Sequence, residues 1–397
     1  GGNNTAVGYQ ALKSFTTGNH NNAIGYFSGQ NITEGEQNNL IGYYAGNSIT
    51  TGGDNVALGH SALQSVTTTD GNVAVGHQAF FSRTVSHGVA VGHKAGYTGG
   101  GQDAVYISDR AGEYADSTSN YNVGIGNWAL RNNVTGDNNV AIGRVSQMGI
   151  SGKSYSDNTS VGYESLKYIV GSDSVGIGSE AGLNATGSYN TFVGSEAGKG
   201  GTTSAPFSSG QYNTAIGYGA FYRFSTGGSN VAIGMQALSA NNVSGHKNIA
   251  IGPSSAFSVT SGTDNIAIGS NALGYTTTAT DNIAIGQYTS HRTGQYNVAS
   301  HVITMGKFSG YYNQGNNNIF MGYYSGHGNS ANAHSPGVNN VGIGYQSSVS
   351  FISGSYNVAI GGNSLYNNQH GEYIVAIGQN AGDHATGSYN TFVGGKA

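Results

Sequence analysis

One short string, Asn-(Val/Ile/Thr)-Ala-(Ile/Val)-Gly, recurs along the whole chain and limits its fold more than any other feature. The glycine of this string stands at Gly8, Gly25, Gly42, Gly59 and Gly76, continues through Gly126, Gly217 and Gly286, and recurs last at Gly394; Ser108 replaces it once. There are 23 copies, mostly 16 to 18 residues apart. A unit this short has no core of its own. It can bury an apolar face only against its neighbours, which is the condition that defines a solenoid.

Aligning the copies on the glycine turns the sequence into columns. The residue before the glycine is Ile, Val, Leu or Met in every copy, and the residue three before it is Val, Ile or Thr except at Asn22 and Asn39. Two slots that are two residues apart share one face of a strand, and aliphatic chemistry makes that face the expected buried one. Three residues after the glycine the residue is always Ala, Ser or Thr, as at Ala11, Ser28 and Ala237, which predicts a close-packed wall. Four before the glycine, Asn fills 18 of the 23 copies. A repeated amide fits either a hydrogen-bonded ladder between coils or a turn former tolerant of positive φ. Thr-Gly pairs such as Thr17-Gly18 and Thr186-Gly187 supply turn chemistry upstream.

Each copy therefore reads as a turn, a four-residue strand, a glycine corner, a second short strand around the small residue, and a polar return. The expected fold is all-β: a parallel β-solenoid or β-roll of about 23 coils, forming one repeat domain over residues 1–397 with insertions near 199–212, 287–303 and 327–339. At about 4.8 Å per coil the stack is elongated, on the order of 110 Å. Two large aliphatic residues per coil make a thin core. That favours several chains sharing burial along a common axis, with a homotrimer the preferred arrangement.

Composition excludes several classes. Only 8% of residues are charged, against about 25% in an ordinary domain, and 68 of the 397 are Gly. A net charge of −4 with 14 basic residues argues against nucleic acid as a partner. No apolar run is long enough to insert in a membrane. The absence of Cys excludes disulfide scaffolds and thiolate metal sites. Without a signal peptide and with Gly in first place, the chain reads as a fragment or a processed product.

Runs such as Asn4-Thr5-Ala6-Val7-Gly8-Tyr9-Gln10-Ala11-Leu12 and Asn230-Val231-Ala232-Ile233-Gly234-Met235-Gln236-Ala237-Leu238 closely resemble the tandem repeats of phage tail-fibre-like proteins. They are also similar to the shorter repeats of YadA-like trimeric autotransporter adhesin heads. The resemblance covers nearly the whole chain. It implies a trimeric, left-handed parallel β-roll serving as a shaft or adhesive head on a virion or cell surface.

Stacking converts offsets into surface columns about 5 Å apart. Directly after the glycine come Tyr9, Tyr26 and Tyr43, then His60, His77 and His93. The histidines read as a solvated stack or as a metal ladder, and the solvated stack is preferred. Glu164, Glu180 and Glu196 share the next column. Three adjacent carboxylates either splay into water or gather a hard cation; a catalytic pair would need a substrate cleft, and the sequence signals none. Exposed tyrosines offer faces for sugar rings. No catalytic, cofactor or metal site is assigned, and no cofactor is expected.

Recognition is expected on the insertions, since loops on a rigid scaffold are where it usually resides. The candidate receptor-binding residues are Phe207, Tyr212, His291, Arg292, His327 and His334. The functional expectation is a non-enzymatic fibre or adhesin shaft, located extracellularly as a virion tail fibre, on a cell surface or in a secreted filament. Its partners would be itself, as homotrimer or filament, and a host-surface glycan or protein receptor. A self-assembling filament subunit is the alternative, supported by the return of Ala185–Gly194 as Ala385–Gly394. An ice-binding solenoid is a further one, weakened by Thr clustering in turns rather than in one column.

Overall fold

The structure, a computed structural model, describes residues 2–201, 208–291, 299–328 and 335–397. The chain forms two compact units, Gly1–Asn190 and Thr191–Ala397. Each is a parallel β-solenoid. Among the described residues there is no helix, and so none long and apolar enough to cross a membrane.

In the first unit eleven three-residue strands, from Thr5–Val7 to Val175–Ile177, pair in parallel with their sequence neighbours. Among the described residues of the second, twelve strands from Thr191–Val193 to Thr391–Val393 do the same. Register follows the motif, with Thr5 opposite Asn22, Ala6 opposite Ala23 and Val7 opposite Ile24. The second unit also holds a two-stranded parallel sheet, Arg223–Phe224 against Asn241–Val243.

The strand face expected to be buried is the outer one. Alternation does put the residues three before and one before the glycine on one side, but Val7, Ile24, Leu58, Ile177 and Ile377 are exposed. The inward residue is the one between them, usually Ala, as at Ala23, Ala57, Ala232 and Ala376, all fully buried. The reason is space. Inside each coil this residue faces the Ala or Ser three after the glycine, and small residues on both walls bring the walls together. Buried serines on that wall are satisfied: Ser28 Oγ donates to Leu40 O at 2.9 Å and Ser255 Oγ to Ala267 O at 2.7 Å. Larger side chains such as Ile32, Ile49 and Leu63 complete the core.

The expected second strand around the small residue does not form. Instead the backbone turns twice: residues two and four after the glycine both adopt positive φ, as at Gln236 (55°) and Leu238 (49°). The successive turns hydrogen-bond to those of the next coil, for example Leu12 N–H to Ser28 O at 3.2 Å and Ser14 N–H to Gln30 O at 2.9 Å. The motif glycine is required for two reasons. Its φ lies near 130°, a region essentially closed to L-residues, and a Cβ on Gly59 would stand 2.6 Å from the carbonyl oxygen of Gly76 in the next coil.

Of the two readings of the Asn column, the ladder is the one realised. Asn4 Oδ1 accepts from the Asn21 backbone N–H at 2.8 Å and from its Nδ2 at 3.2 Å, and Asn21 Nδ2 also donates to Gly35 O at 2.8 Å. The same bonds run through Asn213, Asn230, Asn248, Asn265 and Asn282, all buried. Positive φ belongs to the residue one earlier, such as His20 and Asp54. Where Gly88 and Ala104 interrupt the ladder, the buried Arg83 guanidinium fills the gap. It donates to Asn72 Oδ1 (2.6 Å), Gly99 O (2.9 Å) and Gly101 O (3.1 Å) and lies 4.2 Å from the Phe80 ring centroid. Burial lowers its pKa to about 10, so it remains charged at neutral pH.

Candidate functional site

Three surfaces carry chemistry, and each follows from the coil geometry. The first is the outer strand face. In either unit it is a two-column ribbon, mostly Val, Ile and Thr, with Asn22, Asn39 and Leu58 in the first unit and Met305 and Met321 in the second, and without a single charged residue. Eleven strands extend such a ribbon to about 50 Å. Contiguous charge-free surface of that size is unusual on a solvated protein.

The second surface is the column directly after the glycine. Tyr9, Tyr26 and Tyr43 stack face to face at 5.2 and 5.1 Å, and His60, His77 and His93 continue the stack at 4.9 and 5.3 Å. His93 Nδ1 meets Asp109 Oδ1 at 2.7 Å. Because each ring covers the next, the column presents ring edges and hydroxyls instead of faces, so these tyrosines are not placed to stack on sugars. The imidazole planes are within 26° of parallel, which directs their nitrogens side by side and not toward one point. Among the described residues no three His, Cys, Asp or Glu side chains are grouped to hold a metal ion. Burial first, then the neighbouring His60, His93 and Lys94, lower the pKa of His77.

The third surface is the column two after the glycine. Here every copy has φ between 52° and 63°, a conformation that costs an L-residue about 1–2 kcal/mol relative to Gly. Side chains nevertheless occupy it everywhere except at Gly219. Two of the three glutamates of this column form ion pairs within their own coils, Glu164 with Lys167 at 3.0 Å and Glu196 with Lys199 at 2.8 Å.

Of the candidate receptor residues, Phe207, Arg292 and His334 lie outside the described residues. Tyr212 is exposed on a turn at φ 59°. His291 is buried, 8% exposed, with Nδ1 2.9 Å from Asn271 O. His327 is half-buried, and desolvation lowers its pKa. Stacking brings His291 and His327 to either side of one ring: Tyr311 lies 5.5 Å from the first and 5.3 Å from the second. Tyr288, Phe308 and Tyr324 extend this aromatic cluster. The Tyr311-Tyr312 and Tyr323-Tyr324 doublets were its available sequence signal. The outer aliphatic ribbon and the gap at Gly219 were equally invisible as sites until the inward direction was known.

Comparison of the chain with protein-family models, with curated proteins and with solved structures gives no match.

Proposed function

We propose that the protein is the non-enzymatic shaft of an extracellular fibre or adhesin, which associates with copies of itself through the strand face and carries receptor- or glycan-binding surfaces on its turns. The observation that carries this reading is the charge-free aliphatic ribbon on the outside of each unit. A column of Ile and Val at strand spacing gains roughly 25 cal/mol per Å² when it leaves water, and an identical ribbon on a second chain is complementary to it in period and chemistry. Three copies that turn this face toward a common axis bury it equally, which is the homotrimer implied by the adhesin-head resemblance. The narrow interior supports the same reading, because the largest aliphatic residues of the motif are left outside it.

Light scattering on the purified chain tests the proposal. A mass of three chains, falling to one chain in an Ile251→Lys, Ile268→Lys double variant that remains folded by circular dichroism, is the expected result. A monomeric wild type at micromolar concentration overturns it. A mass that keeps rising with concentration identifies the filament alternative, in which the units join end to end.

A further inference from the structure

Glu196, Gly219 and Gln236 hold the same position, two after the glycine, in three successive copies of the second unit. The side chain missing at Gly219 leaves a notch in a column that is otherwise filled: a Cβ built there would meet only Gln236 Cγ, at 3.7 Å. The notch opens into a cleft of about 330 Å³, comparable with the smaller end of ligand-binding pockets at about 300 Å³.

The lining combines apolar faces with fixed polar groups. Tyr218 and Phe257 border the cleft and are 54% and 38% exposed. Tyr218 differs from Tyr9, Tyr26 and Tyr43 in having Ser195 and Met235 as its column neighbours, so no ring covers its face. Arg223 is held in the small second sheet opposite Asn241, and its Nη1 donates to Asn241 Oδ1 at 2.9 Å. Its guanidinium also lies 5.4 Å from the Tyr222 ring centroid. Glu196 is already neutralised by Lys199. Among the described residues no carboxylate lies within ion-pair distance of Arg223, so the cleft retains one positive charge with several unused donors.

We infer that this cleft binds an acidic saccharide. The apolar face of a sugar ring rests on Tyr218, hydroxyls are met by Gln236 and Asn241, and a carboxylate or sulfate is taken by Arg223 through charge-assisted hydrogen bonds. The inference rests on the glycan-binding part of the proposed function, and it adds the site and the charge of the ligand.

Calorimetric titration of the full chain with sialyllactose, a hyaluronan tetrasaccharide and neutral lactose, each to about 10 mM, tests it. One of the two acidic sugars is expected to bind at least about tenfold more tightly than lactose. Gly219→Gln should abolish that binding without unfolding the chain, because Gln236 and Gln10 occupy the same backbone conformation. Arg223→Gln should erase the preference for the acidic sugar, and Arg223→Lys should retain part of it. Acidic-sugar binding that survives Gly219→Gln overturns the site while leaving glycan binding intact. Equal affinity for lactose overturns the charge assignment. No binding of any of the three overturns both the site and the glycan-binding reading. The oligomer mass, measured on the same samples, reports separately on the fibre.

Discussion

The ring of Phe192 occupies the space in which a side chain on Gly198 would begin. A Cβ built on Gly198 would stand 2.6 Å from Cγ of Phe192 and closer still to the ring edge. The relationship recurs as Leu40 with Gly46, Tyr106 with Gly112 and Phe320 with Gly326. In other coils the inward strand residue is small and the partner six residues later is large, as with Ala57 and Leu63 or Ala232 and Leu238. Where both are small, as at Ala90 and Gly96, large side chains of adjoining coils, here Phe80 and Tyr106, reach the space. In coils such as those of Phe192 and Leu238 the interior thus holds one large side chain, contributed by either of two positions. Gly198→Ala is expected to destabilise the second unit by about 2–4 kcal/mol, from overpacking and from an L-residue at positive φ. Phe192→Ala combined with Gly198→Leu rebuilds the alternative pair and should recover at least about half of the loss caused by Gly198→Leu alone. Chemical denaturation of the three variants measures both effects.

Ser108 is the one motif corner that is not glycine, and it is held at φ 113°. A non-glycine residue there stores strain of about 1–3 kcal/mol. Ser108→Gly is therefore expected to stabilise the first unit by roughly 1 kcal/mol after the extra chain entropy of glycine is set against the relief. A rise in the thermal midpoint checks this; no change or a fall refutes the strain argument.

The amide ladder makes a directional prediction. In Asn230→Ala, the Asn248 backbone N–H loses its acceptor at 2.9 Å and Gly245 O loses its donor, also at 2.9 Å. Two buried groups left unpaired cost about 2–4 kcal/mol together. Hydrogen exchange should accelerate first at the Asn248 amide, ahead of strand amides several coils away.

Acid should weaken the first unit through the imidazole stack. The pKa of His77 lies below its ordinary value of 6.5 when folded, because of burial and the neighbouring His60, His93 and Lys94. The unfolded chain therefore takes up the proton first, and stability is lost as pH falls through about 6.5. Asp109, paired with His93 at the end of the stack, offsets charge there and not at His77. His77→Tyr continues the Tyr43 stack without a titrating cation and should flatten the fall in stability between about pH 7 and 5. An unchanged pH profile of the unfolding midpoint would contradict this assignment.

Much of the architecture was legible before any coordinates. The 23 motif copies and their spacing defined the coils, their parallel stacking and the in-register pairing of Thr5 with Asn22 and Val7 with Ile24. Those properties are local and periodic: a residue such as Gly59 must be glycine because of its own φ and the carbonyl directly beneath it. The candidate site was legible only in part. His291 and His327 were recognisable as unusual residues, but their convergence on Tyr311 depends on which coils stack.

What tertiary structure alone decided was the direction of the strand face. Alternation shows that Val231 and Ile233 share a side and that Ala232 points the other way, but it does not say which side is inside. Hydrophobicity favours burying valine and isoleucine. Close packing wins: inside this coil Leu238 already fills the interior, so the inward strand position is left to the small Ala232. That choice turns the aliphatic columns outward, toward solvent.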